Sequence, residues 1–192
     1  MENRILFLGP VGAGKTCAIH TISDIEPVNT DVLAAGEEAV LKATTTVAMD
    51  MGVLELDGAD RVVLYGAPGQ ERFDFMQDIL LDQCDGVVLL LNHAADDPLG
   101  DLEHYWRSLQ QRRGGMVPLV IGVTHSDRMP ERPVSIYRER LLGLRASTRK
   151  FEPMPPVFAM DARQQHDVRA ALVTLVAVLE MAQRYPCAGM EV

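Results

Sequence analysis

The sequence has few cysteines, no long apolar run and no excess of positive charge, and each of these shortages excludes a class of protein. The three cysteines, Cys17, Cys84 and Cys187, are odd in number and widely spaced, which argues against a disulfide scaffold or a cysteine metal site. No apolar run reaches the roughly 20 residues that a membrane-spanning helix needs. The formal net charge of −9 argues against binding to nucleic acid or to anionic lipid.

Signals for attachment to a membrane are also missing from the sequence. Glu2 stands where myristoylation needs glycine, and Cys187 lies too far from the end of the sequence for prenylation. No signal peptide is expected, because the first predicted strand begins within a few residues of Met1. We therefore expect a cytoplasmic protein without a covalent membrane anchor. Its 192 residues, 47% of them apolar, contain no repeat or linker and predict one domain over residues 1–192.

What the sequence does contain is a phosphate-binding loop pattern at residues 9–16. The letters GPVGAGKT fit the pattern GxxxxGK followed by Ser or Thr, with an apolar strand predicted before it and a helix after it. The glycines allow backbone N–H groups to point at a polyphosphate, and the helix N-terminus adds partial positive charge. In this pattern Lys15 reaches the β- and γ-phosphates, and the Thr16 hydroxyl binds Mg²⁺. The motif alone does not separate ATP from GTP, or a kinase from a switch.

Strands and helices alternate along the rest of the chain, which predicts an α/β fold with a mostly parallel, six-stranded sheet and helices on both faces. The predicted strands cover residues 4–8, 47–56, 61–65, 86–91, 117–123 and 156–160. The second of them is expected to run antiparallel, because Asp57-Gly58 is a hairpin turn signal. Five main helices are expected, and patterns for four of them lie at 16–22, 99–112, 135–144 and 168–182. The segment 24–43 is predicted to be a long loop with at most a short helix near 36–41.

Four polar or glycine-rich segments lie next to predicted strands, where ligands of such sheets bind. They are the segments 44–50, 66–73, 124–127 and 161–163. In order and spacing these segments, together with the phosphate loop, resemble the Ras-like small GTPases over nearly the full length of the chain. Within that superfamily the chain is similar to a bacterial branch that contains the MglA-type polarity GTPases and the GTPases of actinobacterial conservons. The likeness to this branch depends on Pro68-Gly69-Gln70, on Gly66 and on the threonines at 44–46.

The resemblance implies a P-loop G domain that binds GTP and GDP with Mg²⁺ and hydrolyses GTP as a molecular switch. Thr46 would complete the Mg²⁺ shell when a γ-phosphate is present, the Gly69 amide would contact that phosphate, and Gln70 would orient the attacking water. The contacts implied for the phosphate loop are Gly12, Ala13, Gly14, Lys15, Thr16 and Cys17. The branch often pairs with a homodimeric roadblock-type regulator in polarity, motility or signalling.

The resemblance also implies a guanine site in the second half of the chain. Asp127 would accept hydrogen bonds from the guanine N1–H and 2-amino group, and the Ala162 amide would donate to the guanine oxygen. Thr124 and His125 would complete this base-binding segment, with the imidazole stacked on the base. Considered singly, Asp127 could instead cap the next segment, Gln70 could be a surface turn residue, and Thr44 or Thr45 could take the role of Thr46.

Three departures from the superfamily pattern leave alternatives open. Gly66 replaces an aspartate that holds a Mg²⁺-bound water, and Asp50 either compensates as a metal ligand or faces solvent. Thr124-His125 replaces the usual Asn-Lys. Val11 replaces a glycine that leaves room for an arginine finger. A guanine-nucleotide-binding scaffold that hydrolyses nothing is therefore one rival function. A small P-loop kinase for a metabolite is another, although no arginine-rich lid segment is found.

Overall fold

The structure is a computed structural model that describes residues 2–26, 28–29, 50–55, 61–69, 74–113, 118–146 and 154–184. Its strands are β1 (Glu2–Leu8), β2 (Val28–Asn29), β3 (Asp50–Glu55), β4 (Arg61–Gly66), β5 (Gly86–Asn92), β6 (Leu119–Thr124) and β7 (Val157–Ala159). Its α-helices are α1 (Lys15–Ile22), α2 (Asp74–Gln83), α3 (Pro98–Arg113), α4 (Ser135–Ala146) and α5 (Gln165–Arg184). A short 3-10 helix covers Ser126–Arg128.

The strands form one sheet in the order β2-β3-β4-β1-β5-β6-β7. β1 is its centre, because it pairs in parallel with β4 on one side and with β5 on the other. β3 runs antiparallel to β4 with Asp50 opposite Gly66 and Glu55 opposite Arg61. The predicted α/β fold and the antiparallel strand are thus confirmed, and the six predicted strands are joined by the two-residue edge strand β2. The hairpin turn at 57–58 and the possible helix at 36–41 lie outside the described residues.

Alternation along the strands divides the core between the two faces of the sheet. Ile5 and Phe7 of β1 pack on one face with residues of α1 and α5, whereas Leu6 and Leu8 pack on the other face with residues of α2, α3 and α4. The chain leaves β1 toward β3 and β4 on one side and later reaches β5 on the other side. This arrangement opens a crevice at the carboxyl end of β1, where the phosphate-binding pattern begins.

Helix α2 was not located from the sequence. Its inward positions Gln77, Leu80 and Leu81, followed by Cys84, recur at helical spacing and are all buried. The glutamine interrupts what would otherwise be a recognisable apolar stripe. Among the described helices, none combines the length and the apolar character that crossing a bilayer requires.

Candidate nucleotide-binding site

The loop between β1 and α1 has a positive φ at its three glycines, a backbone conformation that disfavours other residues there. Gly14 has a φ of 92° and Gly9 a φ of 139°, and a Cβ on Gly9 would lie 2.1 Å from the Leu90 carbonyl oxygen. Gly14 is also the N-cap of α1 and supplies no side-chain cap. The first amides of α1 therefore face the loop, together with the positive end of the helix dipole, which is the geometry of an anion site.

Lys15 places a buried ammonium group inside this loop. Its Nζ donates hydrogen bonds of 2.7 Å to the carbonyl oxygens of Gly9 and of Pro10. Burial lowers the pKa of Lys15 to about 8, and the negative charge of Asp50 acts in the opposite direction. The side chain is therefore still mainly charged at neutral pH, and it is held where the pattern predicts phosphates.

Asp50 and Thr16 meet beside the loop. The Thr16 hydroxyl donates a hydrogen bond of 2.5 Å to Asp50 Oδ2. A Cβ on Gly66, the residue opposite Asp50 in the ladder, would lie 3.1 Å from Asp50 Cβ and 3.2 Å from its Oδ2. Ile19 Cδ1, 2.9 Å from the same point, and the Asp50 side chain together fill the space beside Gly66. Hydroxyl and carboxylate oxygens are suitable Mg²⁺ ligands, so two of the three predicted metal ligands are adjacent, whereas Thr46 lies outside the described residues.

The segment that follows β4 lies against the phosphate loop. A Cβ on Gly69 would come within 2.6 Å of the Val11 nitrogen and 2.8 Å of Lys15 Nζ, so no larger residue fits there without movement. The preceding carbonyl, of Pro68, accepts a hydrogen bond of 3.0 Å from Gln77 Nε2 in α2. Gln77 is buried. Sequence analysis does not predict its role, because nothing in the sequence indicates that it contacts Pro68. Gln70 lies outside the described residues.

Thr124 ties the base-side loop to the phosphate loop. Its buried hydroxyl lies 3.0 Å from the Ala13 carbonyl oxygen and 3.1 Å from that of Leu91, and it has one proton to give to them. His125 Nδ1 lies 3.0 Å from the same hydroxyl oxygen. Because the hydroxyl proton goes to a carbonyl, the oxygen accepts from His125 Nδ1–H. His125 itself has a φ of 57°, the one positive φ among the described non-glycine residues.

The loop after β7 closes the other side of the site. The Ala162 carbonyl oxygen accepts from Cys17 Sγ at 3.5 Å and lies 2.9 Å from Thr21 Oγ1, whose one proton it shares with the Cys17 carbonyl at 2.8 Å. These contacts fix this loop to α1. Arg163 makes a forked contact with Asp161, and its hydrogen bonds lower the pKa of that carboxyl to about 2. Arg163 Nη2 also lies 3.8 Å from Asp127 Oδ2. The sequence had marked this segment but had not assigned Arg163 a role.

A cavity of about 360 Å³ lies between the start of α1 and the two base-side loops, a volume within the range of about 300–1,000 Å³ typical of ligand pockets. The predicted site residues that line it are Gly14, Cys17, Thr124, His125, Asp127 and Ala162. Lys15, Thr16, Asp50 and Gly69 lie together on the phosphate-loop side, next to Gly12 and Ala13. The structure therefore brings together all the predicted site residues that it describes, and the cavity connects the start of α1 to the Asp127 carboxylate.

The fold and the glycine loop together define a P-loop protein of the α/β class. The structure is similar to the G domain of the T. maritima FeoB iron transporter, with a TM-score of 0.64 and 14% sequence identity over 93% of this chain and 99% of that one. At this identity the likeness shows the fold, which is that of a G domain. No protein-family model and no curated protein matches the sequence.

Proposed function

We propose that this protein is a small GTPase that binds GTP and GDP with Mg²⁺, hydrolyses GTP and signals through nucleotide-dependent binding of a partner. The observation that carries the proposal is the cavity that joins the α1 N-terminus to Asp127. A phosphate chain at the helix N-terminus directs the base of the same nucleotide toward the carboxylate. Asp127 then accepts the N1–H and 2-amino hydrogens of guanine, a donor pair that adenine lacks.

Each group at the phosphate end has a distinct task in the proposed reaction. Lys15 binds the β- and γ-phosphates and offsets the charge that develops on them during hydrolysis. Thr16, Asp50 and Thr46 hold the Mg²⁺, which supplies further neutralisation of phosphate charge when bound. Gln70 orients the attacking water. Loss of the γ-phosphate removes the contacts of Thr46 and Gly69, and this releases the two segments that a partner recognises.

The finer assignment depends on the sequence resemblance. Gly66 and the segment Pro68-Gly69-Gln70 favour the MglA-like bacterial branch, and that branch suggests a roadblock-type regulator as the partner. The reducing conditions of the cytoplasm fit the absence of a disulfide pattern in the sequence. The structural similarity to a G domain does not depend on the branch, the partner or the compartment.

Replacing Asp50 with alanine is expected to raise the Mg²⁺ concentration needed for half-maximal GTP binding by about tenfold, because one charged oxygen ligand is lost. Glu55→Ala is the matched control, since Glu55 is an exposed acid at the far end of the same strand. The measurement is GTP binding across a Mg²⁺ titration. The double variant Asp50→Gly with Gly66→Asp moves the carboxylate across the ladder and should recover part of the affinity. An unchanged Mg²⁺ requirement in Asp50→Ala would show that Asp50 is only a strand position.

Replacing Gln70 with leucine is expected to preserve GTP affinity and to slow hydrolysis, because the water loses its orienting group. We expect slow turnover even in the unmutated protein, since Val11 is 65% exposed at the mouth of the loop and crowds an arginine arriving from a partner. A partner that orders Gln70 should accelerate hydrolysis by less than the roughly 10³–10⁵-fold of an arginine finger. Equal phosphate release from Gln70→Leu and the unmutated protein would remove Gln70 from the mechanism.

The non-hydrolysing scaffold is the second candidate, favoured by Gly66 and by Val11. A single-turnover assay with protein in excess over GTP separates the two functions. The proposed GTPase releases phosphate without any added acceptor, and this result also excludes a metabolite kinase. GTP that stays intact while bound would support the scaffold, and hydrolysis that is equally fast in Lys15→Ala would identify a contaminant.

A further inference from the structure

His93 lies directly after β5, is fully buried, and has a described hydrogen-bond partner for each of its polar atoms. Its N–H donates to the Thr124 carbonyl at 2.9 Å, and its own carbonyl accepts from Arg132 Nη1 at 2.8 Å. Its ring nitrogens lie 2.9 Å from the Tyr137 hydroxyl and 2.9 Å from the Arg132 carbonyl oxygen. The imidazole itself makes two of these contacts, and they join the end of β5 to Arg132 and to Tyr137 of α4.

The chemistry of the partners fixes the protons on the imidazole. The Arg132 carbonyl can only accept, so Nε2 carries a proton and donates to it. In the neutral ring Nδ1 then holds a lone pair and accepts from the Tyr137 hydroxyl. Burial raises the pKa of Tyr137 to about 12, which keeps that phenol protonated and available as the donor. The ring is thus locked in one tautomer and one orientation.

The segment that His93 holds is the base-binding loop, residues 124–132. The loop contains His125 and Asp127, and backbone turns run through it from Arg128 N to the His125 carbonyl (3.1 Å) and from Arg132 N to the Met129 carbonyl (3.1 Å). His93 contacts the loop at both ends, through the Thr124 carbonyl and through Arg132. The backbone N–H of His93 holds the Thr124 end, and its imidazole holds the Arg132 end. The ring therefore sets where the Arg132 end lies relative to the Thr124 end, and with it the position of Asp127.

We propose that His93 is a positioning residue for guanine recognition: with Tyr137 it clasps both ends of the loop 124–132 and holds Asp127 at the base. This inference rests on the proposed function and adds a determinant of base specificity that lies outside the nucleotide cavity. A role in specificity can be distinguished from a role in folding by the ratio of affinities for two bases. This ratio depends on the position of Asp127 and does not depend on the global stability.

The test measures the ratio of the affinities for GDP and for inosine diphosphate. The latter lacks the 2-amino group that donates a hydrogen bond to Asp127. His93→Leu is expected to reduce the ratio by about tenfold, since a displaced Asp127 weakens the hydrogen bond from the 2-amino group, and a hydrogen bond to a charged group changes an equilibrium by roughly that factor or more. Tyr137→Phe should reduce it less, and His93→Gln should recover most of it, because the amide keeps an N–H that can reach Arg132. Leu141→Ala is the control, a buried residue of α4 in the same core cluster without a role in the clasp.

We expect Leu141→Ala to lower the melting temperature and leave the ratio unchanged. A ratio that stays unchanged in both His93→Leu and Tyr137→Phe would overturn the inference, and Tyr137→Phe decides alone if His93→Leu does not fold. Failure of the proposed function is a different result: the unmutated protein would then bind GDP no better than inosine diphosphate, and both proposals would fall together.

Discussion

Replacing Lys15 with methionine is expected to lower the affinity for GDP and GTP by at least about a hundredfold, because two charge-assisted hydrogen bonds to phosphate are each worth about 1.5–3 kcal/mol. Methionine is the sharper choice over alanine, which would also leave a cavity beneath the loop. The measurement is fluorescence titration with a labelled GDP. Arg107→Ala, which removes an exposed cation on α3, is the charge-matched control and should bind normally.

The same variant is not expected to lower the stability of the folded protein. The folded protein holds the pKa of Lys15 at about 8, below its usual value of 10.5, and burial is the main cause. Below pH 8 both the folded and the unfolded states carry the proton, so the cost of burying the charge is fully present there; it is relieved as the pH rises from 8 toward 10.5. The nucleotide-free Lys15→Met protein should therefore melt no lower than the unmutated protein at pH 7. Normal nucleotide binding by this variant would show that the loop is not a phosphate site.

Replacing Asp127 with asparagine is expected to change the preferred base from guanine to xanthine. The amide can donate to the 2-oxo group of xanthine, whereas guanine presents its 2-amino donor to the amide N–H₂. The Asp127 side chain is 65% exposed in the structure, so the cost of a mismatched base arises when the base covers it. We expect GDP affinity to fall by at least about tenfold and xanthosine diphosphate to become the tighter ligand.

Asp161→Asn is the matched control for this exchange. Asp161 is another carboxylate that lines the cavity, but it is paired with Arg163 and has no proposed contact with the base. Its variant should keep the preference for guanine. The measurement is competition of each diphosphate against labelled GDP. A preference for guanine that survives in Asp127→Asn would place the base away from this carboxylate.

The glycine loop between β1 and α1 could be predicted from the sequence because its determinants are contiguous. Gly9 to Thr16 form one motif between a strand and a helix, and local sequence fixes both flanks. The antiparallel strand was likewise marked by a local turn signal at Asp57-Gly58. Thr46 and Gln70, the remaining switch residues, lie outside the described residues and stay predictions.

Features that depend on contacts between distant parts of the chain could not be predicted from local sequence patterns. Asp50 had two interpretations, and only the ladder register shows that its carboxylate lies beside Gly66 and meets Thr16. His93 belongs to no motif in the sequence, and its partners Arg132 and Tyr137 are far along the chain. In such cases the residue type is visible in the sequence, whereas its partner is set by the tertiary structure.

The most direct test of the central claim is the affinity of the unmutated protein for GDP and for ADP, measured side by side in saturating Mg²⁺. If Asp127 reads the base, GDP should bind at least about a thousandfold more tightly than ADP, as expected of a site that hydrogen-bonds a donor pair. Equal affinities for the two nucleotides would contradict the account, because the phosphate loop would then be a general nucleotide site and the Asp127 carboxylate would have no part in it.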